Sequence, residues 1–153
     1  MTLPPFQQLL DSHGRDVHRF LVATVGRGEA DDCYQETWIA ALRAYPRLRS
    51  ASNLRGWVFT VAHRKALDHL RAARRRAAPV AEVPEVVAAE RDGTPEVWAF
   101  VRELPPKQRT AIALRFLAGC SHAEIGTVMS TSEEAARRNV HEGLKRLRAE
   151  FSA

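Results

Sequence analysis

The chain has 153 residues, 45% of them hydrophobic and 27% charged, values ordinary for a folded protein that exclude disorder throughout. Its net charge of +5 and pI of about 9.9 favour an anionic partner, nucleic acid ahead of membrane, because no run approaches the ~18 apolar residues that cross a bilayer and no polybasic amphipathic anchor stands out. Cys33 and Cys120 lie outside any CxxC or Cys/His cluster, and Met1–Gln8 lacks the basic and apolar stretches of a secretion signal, so a reducing cytoplasm is expected, with no metal site and no cofactor.

Phe6, Leu9, Leu10, Val17, Phe20, Leu21 and Val25 recur at helical spacing, and Gly26 and Gly28 end the pattern. A second helix is predicted from about Ala30 to Tyr45, burying Tyr34, Trp38, Ala41, Leu42 and Tyr45 and stopping at Pro46. The third begins after Ser52 or Asn53 and buries Leu54, Val58, Val61, Ala62, Ala66 and Leu70. It closes on Arg71, Arg74, Arg75 and Arg76, cations that complement the negative end of the helix dipole.

Composition then changes. Residues 1–76 carry 13 Lys/Arg against 7 Asp/Glu, residues 77–95 carry 1 against 4, and residues 96–153 carry 9 against 7. With Pro79, Pro84, Gly93 and Pro95 and no aromatic residue, Ala77–Pro95 reads as a flexible acidic linker, with room for a short amphipathic turn around Val83–Ala89. The expectation is therefore an all-α protein of two small helical domains, 1–76 and 96–153, each marginal alone because so small a core buries only about 60% of its unfolded surface.

The C-terminal block opens with a helix from about Glu96 to Glu103, followed by one that starts at Pro105 and Pro106 and carries Ile112, Leu114, Phe116 and Leu117 up to Gly119. Ser121 with Glu124 forms a capping box for a short helix through Met129, and Ser130-Thr131-Ser132 makes a polar turn before a last helix to about Phe151. Two helices about a tight turn fit a helix-turn-helix, whose second helix enters the DNA major groove.

Two stretches make the pattern specific. Ala30-Asp31-Asp32-Cys33-Tyr34-Gln35-Glu36-Thr37-Trp38 resembles the D-x-x-Q-E helix of RNA polymerase sigma factors. Leu104-Pro105-Pro106-Lys107-Gln108-Arg109 followed by Ser121-His122-Ala123-Glu124-Ile125-Gly126 resembles the C-terminal domain of the same family, and the short two-block chain is similar to its extracytoplasmic-function (ECF) branch. The resemblance implies a promoter-selecting subunit of RNA polymerase rather than an enzyme, with core polymerase, promoter DNA and an anti-sigma factor as partners.

By that resemblance, Asp32, Gln35 and Glu36 bind a coiled coil on the largest polymerase subunit, and their three- and four-residue offsets do put them on one helix face. An acidic first turn complementing the helix dipole would look the same. The resemblance assigns Asn53 to Arg76 to the minus-ten element, with Asn53, Trp57, His63, Arg64, Lys65, Arg71, Arg74 and Arg75 as candidate contacts; aromatic and basic groups suit single-stranded bases, although Trp57 also suits a core. It assigns the minus-thirty-five element to Arg137, Arg138 and His141, with Glu133 and Glu134 in the first turn. Arg64 stands where many members have asparagine, Ala136 where a larger aliphatic is usual, Ser130 where a turn glycine is common, and Glu142 where arginine is frequent.

No HExxH, GxSxG, P-loop or GxGxxG occurs, and His13, His18, His69 and His122 read as exposed helix polarity. Two other functions stay open at this point. A helix-turn-helix regulator acting without polymerase leaves Asp32, Gln35 and Glu36 without a task, and an interaction adaptor with a degenerate DNA-binding half draws on Glu142 and Ala136.

Overall fold

The computed structural model describes residues 2–76 and 95–152; the linker and its Val83–Ala89 turn fall almost entirely outside the described residues. The described residues form seven α-helices and no strand: α1 Phe6–Val25, α2 Arg27–Ala44, α3 Leu54–Arg76, α4 Pro95–Glu103, α5 Pro106–Phe116, α6 His122–Met129 and α7 Glu133–Ser152. A short 3-10 turn, Tyr45–Arg47, follows α2 and carries Pro46 where a proline leaves no helical hydrogen bond broken.

Gly26 both closes α1 and opens α2: its N–H donates to Val22 O and its carbonyl accepts from the Ala30 N–H, each at 3.0 Å. At φ 86°, and with an added Cβ falling 2.5 Å from an Arg102 guanidinium nitrogen, only glycine fits there. The second helix thus starts at Arg27, before the predicted Ala30, and takes Gly28 into its first turn.

Leu9, Val17, Phe20 and Leu21 of α1 pack with Ala30, Cys33, Trp38 and Ala41 of α2 and with Val58, Phe59, Ala62 and Ala66 of α3. The Phe20 and Phe59 rings meet edge to face at 5.8 Å, and Phe6 sits edge-on to both Trp38 and Tyr45. Leu42, expected in this seam, is 55% exposed. It lies about 100° around the helix from Ala41, beyond the stripe that the shorter residues Cys33 and Thr37 complete.

The C-terminal half is built as the caps predicted. Pro106 opens α5, and the Ser121–Glu124 box is complete, Glu124 N–H donating to Ser121 Oγ (3.1 Å) and Ser121 N–H to Glu124 Oε1 (2.9 Å). Ser130 ends α6 in the left-handed region at φ 56°, and the Thr131 N–H returns to Gly126 O at 2.8 Å. A Cβ on Gly126 would stand 2.8 Å from Thr131 O, so the tight turn depends on the missing side chain. Ala136 is fully buried where α7 enters the core, so its small size serves helix packing.

The halves do not stand apart. Helices α1 and α3 pack against α4, α5 and α6, and apolar burial runs continuously through both halves. Across this seam Arg109 donates through Nη1 to Thr24 O, while its Nη2 donates within its own half to Leu104 O, both at 3.2 Å. On α3, the Arg55 guanidinium lies over Phe59 and within reach of Gly119 in the α5–α6 loop.

Candidate functional site

The solvent face of α2 carries Asp32, Gln35 and Glu36, all exposed, and with them two large apolar side chains, Ile39 (50% exposed), which periodicity did not single out, and Leu42 (55%), which it placed inside. Positions 32, 35, 36, 39 and 42 advance by threes and fours and form one stripe, opposite the buried Cys33, Thr37 and Ala41. Half-exposed Ile and Leu in contact with water, bordered by carboxylates, are the mixture found at the edge of protein interfaces. The sequence signal was available: Ile39 sits four residues after Gln35 and three after Glu36.

On α3 the candidates separate. Arg64, Arg71, Arg74 and Arg75 are exposed, Lys65 is half-buried, and Arg71, Arg74 and Arg75 line one shallow depression. Asp68 stands among them and lowers the local positive charge. Asn53 is committed to a cap, its Oδ1 accepting from the Gly56 N–H at 3.0 Å. Trp57 is half-buried, tilted against Tyr45 at 6.1 Å.

His63 differs from the other α3 candidates in being buried. The residue is 8% exposed, on the seam that Phe59, Ala62 and Ala66 define, and burial followed by the charge of Arg64 pushes its pKa down to about 4. A neutral imidazole inside the helix packing offers no cation to DNA. Its position four residues after Phe59 was the sign of this, outweighed by its basic neighbours Arg64 and Lys65. His69, expected as exposed helix polarity, is instead half-buried and lies between Glu29 and Glu36 of α2, with Nδ1 2.8 Å from Glu29 Oε2 and Nε2 hydrogen-bonded to Glu36 Oε2.

On α7, Arg137, Arg138 and His141 are exposed, and Arg137 pairs with Glu133 at 3.2 Å. Arg138 and His141 continue through Lys145 and Arg148, also exposed, as a basic stripe longer than the two arginines single out. Glu142 is half-buried beside that stripe. Cys33 and Cys120 are buried, desolvation pushing their thiols up to about 12 and about 11, which leaves both protonated and unreactive at neutral pH. Among the described residues no group of three His, Cys, Asp or Glu side chains is placed to hold a metal ion, and no helix is long and apolar enough to cross a membrane.

An acidic-apolar face, a basic helix end and a helix-turn-helix thus occupy one chain, and sequence comparison finds the same order. Residues 9–76 match the model of sigma-70 region 2, and residues 95–147 match that of sigma-70 region 4. The chain belongs to the ECF branch of the sigma-70 family. It is 31% identical to the ECF RNA polymerase sigma factor SigD of Mycobacterium tuberculosis, over 96% of this chain and 77% of the relative. With SigX of Bacillus subtilis, another ECF sigma factor, it shares 27% identity over 94% of this chain and 81% of the relative. The fold resembles that of the sigma factor RpoE from Bartonella quintana, solved in complex with the anti-sigma factor NepR: TM-score 0.85, 19% identity, 97% of each chain covered. This sigma factor accordingly works by binding core RNA polymerase and directing it to promoters. A stand-alone DNA-binding regulator does not account for the region 2 match over residues 9–76.

Proposed function

We propose that the α2 stripe Asp32, Gln35, Glu36, Ile39 and Leu42 is the surface by which this sigma factor docks on core polymerase. The exposed pair Ile39 and Leu42 supports this reading most, since apolar side chains left in water beside the motif carboxylates have no task in the fold. The carboxylates steer a basic partner helix, and the apolar pair supplies the area whose burial holds it. Minus-ten capture falls to Trp57, Arg64, Lys65, Arg71, Arg74 and Arg75, without His63; Asn53 contributes by setting where α3 begins. Minus-thirty-five reading falls to Arg137, Arg138 and His141, extended by Lys145 and Arg148 as phosphate contacts. The role is that of a cytoplasmic initiation factor, not an enzyme, and an anti-sigma factor covering these faces restrains it.

The compact arrangement of the halves bears on this role. Elements centred 25 base pairs apart are separated by about 85 Å of B-form DNA, whereas a compact chain of this length is about 40 Å across. The halves must therefore part for one molecule to hold both elements, and the bond from Arg109 to Thr24 O is among those that break.

Reconstitution with core polymerase tests the proposal. Charge reversal at Asp32 and Glu36, and separately Ile39→Ser with Leu42→Ser, should abolish comigration and initiation while the helical content of the folded chain stays unchanged. Arg137→Ala with Arg138→Ala should leave comigration intact and alter upstream promoter preference or reduce its salt dependence. Wild-type docking by the α2 variants refutes the assignment of that face.

A further inference from the structure

Of the three motif carboxylate and amide side chains, Glu36 is held by a residue of another helix, and that residue has unusual surroundings. His69 projects from α3 between two carboxylates of α2, hydrogen-bonded through Nδ1 to Glu29 and through Nε2 to Glu36. Its side chain is 14% exposed, against 38% for Glu29 and 52% for Glu36, so the ring lies under the surface and the carboxylates at it. The other oxygen of Glu29 is 3.6 Å from an Arg76 nitrogen. These contacts tie the basic end of α3 to the rim of the α2 stripe.

The hydrogen-bond inventory fixes the charge of the ring. An ionised carboxylate only accepts, and a neutral imidazole has one donor and one acceptor, so bonds from both ring nitrogens to carboxylates require imidazolium. From α2 the ring faces Glu29 and Glu36, with the Cys33 thiol between them neutral; along α3 it is flanked by Lys65, Asp68 and Arg76, the last engaged with Glu29. Burial, the largest single influence, pulls the His69 pKa down, but the hydrogen bonds to Glu36 and Glu29 and their charges together raise it above the ordinary histidine value. Such bonds between charged groups are about twice as strong as neutral ones.

We propose that His69 is a positioning residue for polymerase docking: as imidazolium it holds the Glu36 carboxylate at the edge of the α2 stripe, and docking weakens as the ring loses its proton. The inference rests on the assignment of α2 as the docking face. Glu36 is a flexible side chain, and its immobilisation by a partner costs rotamer freedom that the His69 bond has already removed, while its second oxygen stays available to accept from a partner cation. Without the proton, the ring can serve only one carboxylate as donor, and its other nitrogen repels the second.

The affinity of the full chain for core polymerase, measured from pH 6.5 to 8.5, tests this. His69→Ala should lower affinity about three- to tenfold at pH 6.5 and flatten the pH profile relative to wild type. His69→Arg, whose guanidinium donates to both carboxylates and does not titrate, should keep wild-type affinity with a flat profile. Independently of polymerase, the His69 ring should titrate above the ordinary histidine value by NMR, and Glu36→Gln should lower that value. Wild-type affinity and pH profile in His69→Ala overturn the proposal, as does tighter binding, which would mean that His69 competes with the partner for Glu36. A folded His69→Arg that binds as weakly as His69→Ala, or a ring that titrates at the ordinary value, also overturns it. Charge reversal at Asp32 and Glu36 in the same assay separates the two readings: loss of docking there with no effect at His69 sinks only the positioning role, whereas unchanged docking sinks the assignment of the face.

Discussion

Mild acid should cost this sigma factor stability at His63. His63 is buried and its pKa is depressed to about 4, whereas in the unfolded chain it returns to 6.5. A depressed folded value means that the unfolded state binds the extra proton first, so the stability associated with neutral His63 is present above the unfolded value and is lost as pH falls toward the folded one. Between pH 7.5 and 5.5 the linkage gives a loss of about 1.4 kcal/mol, and any folded value below about 5 gives nearly the same loss, because at pH 5.5 the native ring is then still largely neutral. His13, lowered by burial and by Arg55, adds in the same direction. His69 opposes: its raised value makes its contribution fully present below 6.5 and lost as pH rises through its folded value. The assay is therefore a comparison of urea unfolding at pH 7.5 and 5.5 for wild type and His63→Leu, an apolar replacement of similar size, with stability differences read within each protein. The variant should lose about 1.4 kcal/mol less than wild type over that interval. Equal losses in the two proteins would refute the placement of His63 in the core.

Two further outcomes are expected. Ser130→Gly should raise stability by about 1 kcal/mol, since Ser130 holds φ 56° at the end of α6 and glycine takes the left-handed region without strain; thermal melts check it. Arg109→Ala removes hydrogen bonds to Thr24 O and Leu104 O, with a loss of about 1.5–3 kcal/mol for such charged contacts, and should loosen the packing of the halves, seen as a larger radius of gyration in small-angle scattering.

Local physics made much of this molecule legible in its sequence. Three- and four-residue apolar spacing located the helices, Gly26, Pro46 and Pro106 punctuated them, and the Ser121–Glu124 box marked the start of α6, because each of these signals acts within about one helical turn. The exposed stripe of Asp32, Gln35 and Glu36 was legible for the same reason. Tertiary packing decided where burial departs from that periodicity. Leu42 stays in water because Cys33, Thr37 and Ala41 already fill the seam, and His63 is withdrawn from a basic stretch because Phe59, Ala62 and Ala66 carry it inside. His69 meets Glu36 across 33 residues, and Arg109 meets Thr24 across 85. Periodicity within one helix carries no information about such partners, since they are set by how separate helices pack once the chain has closed on itself.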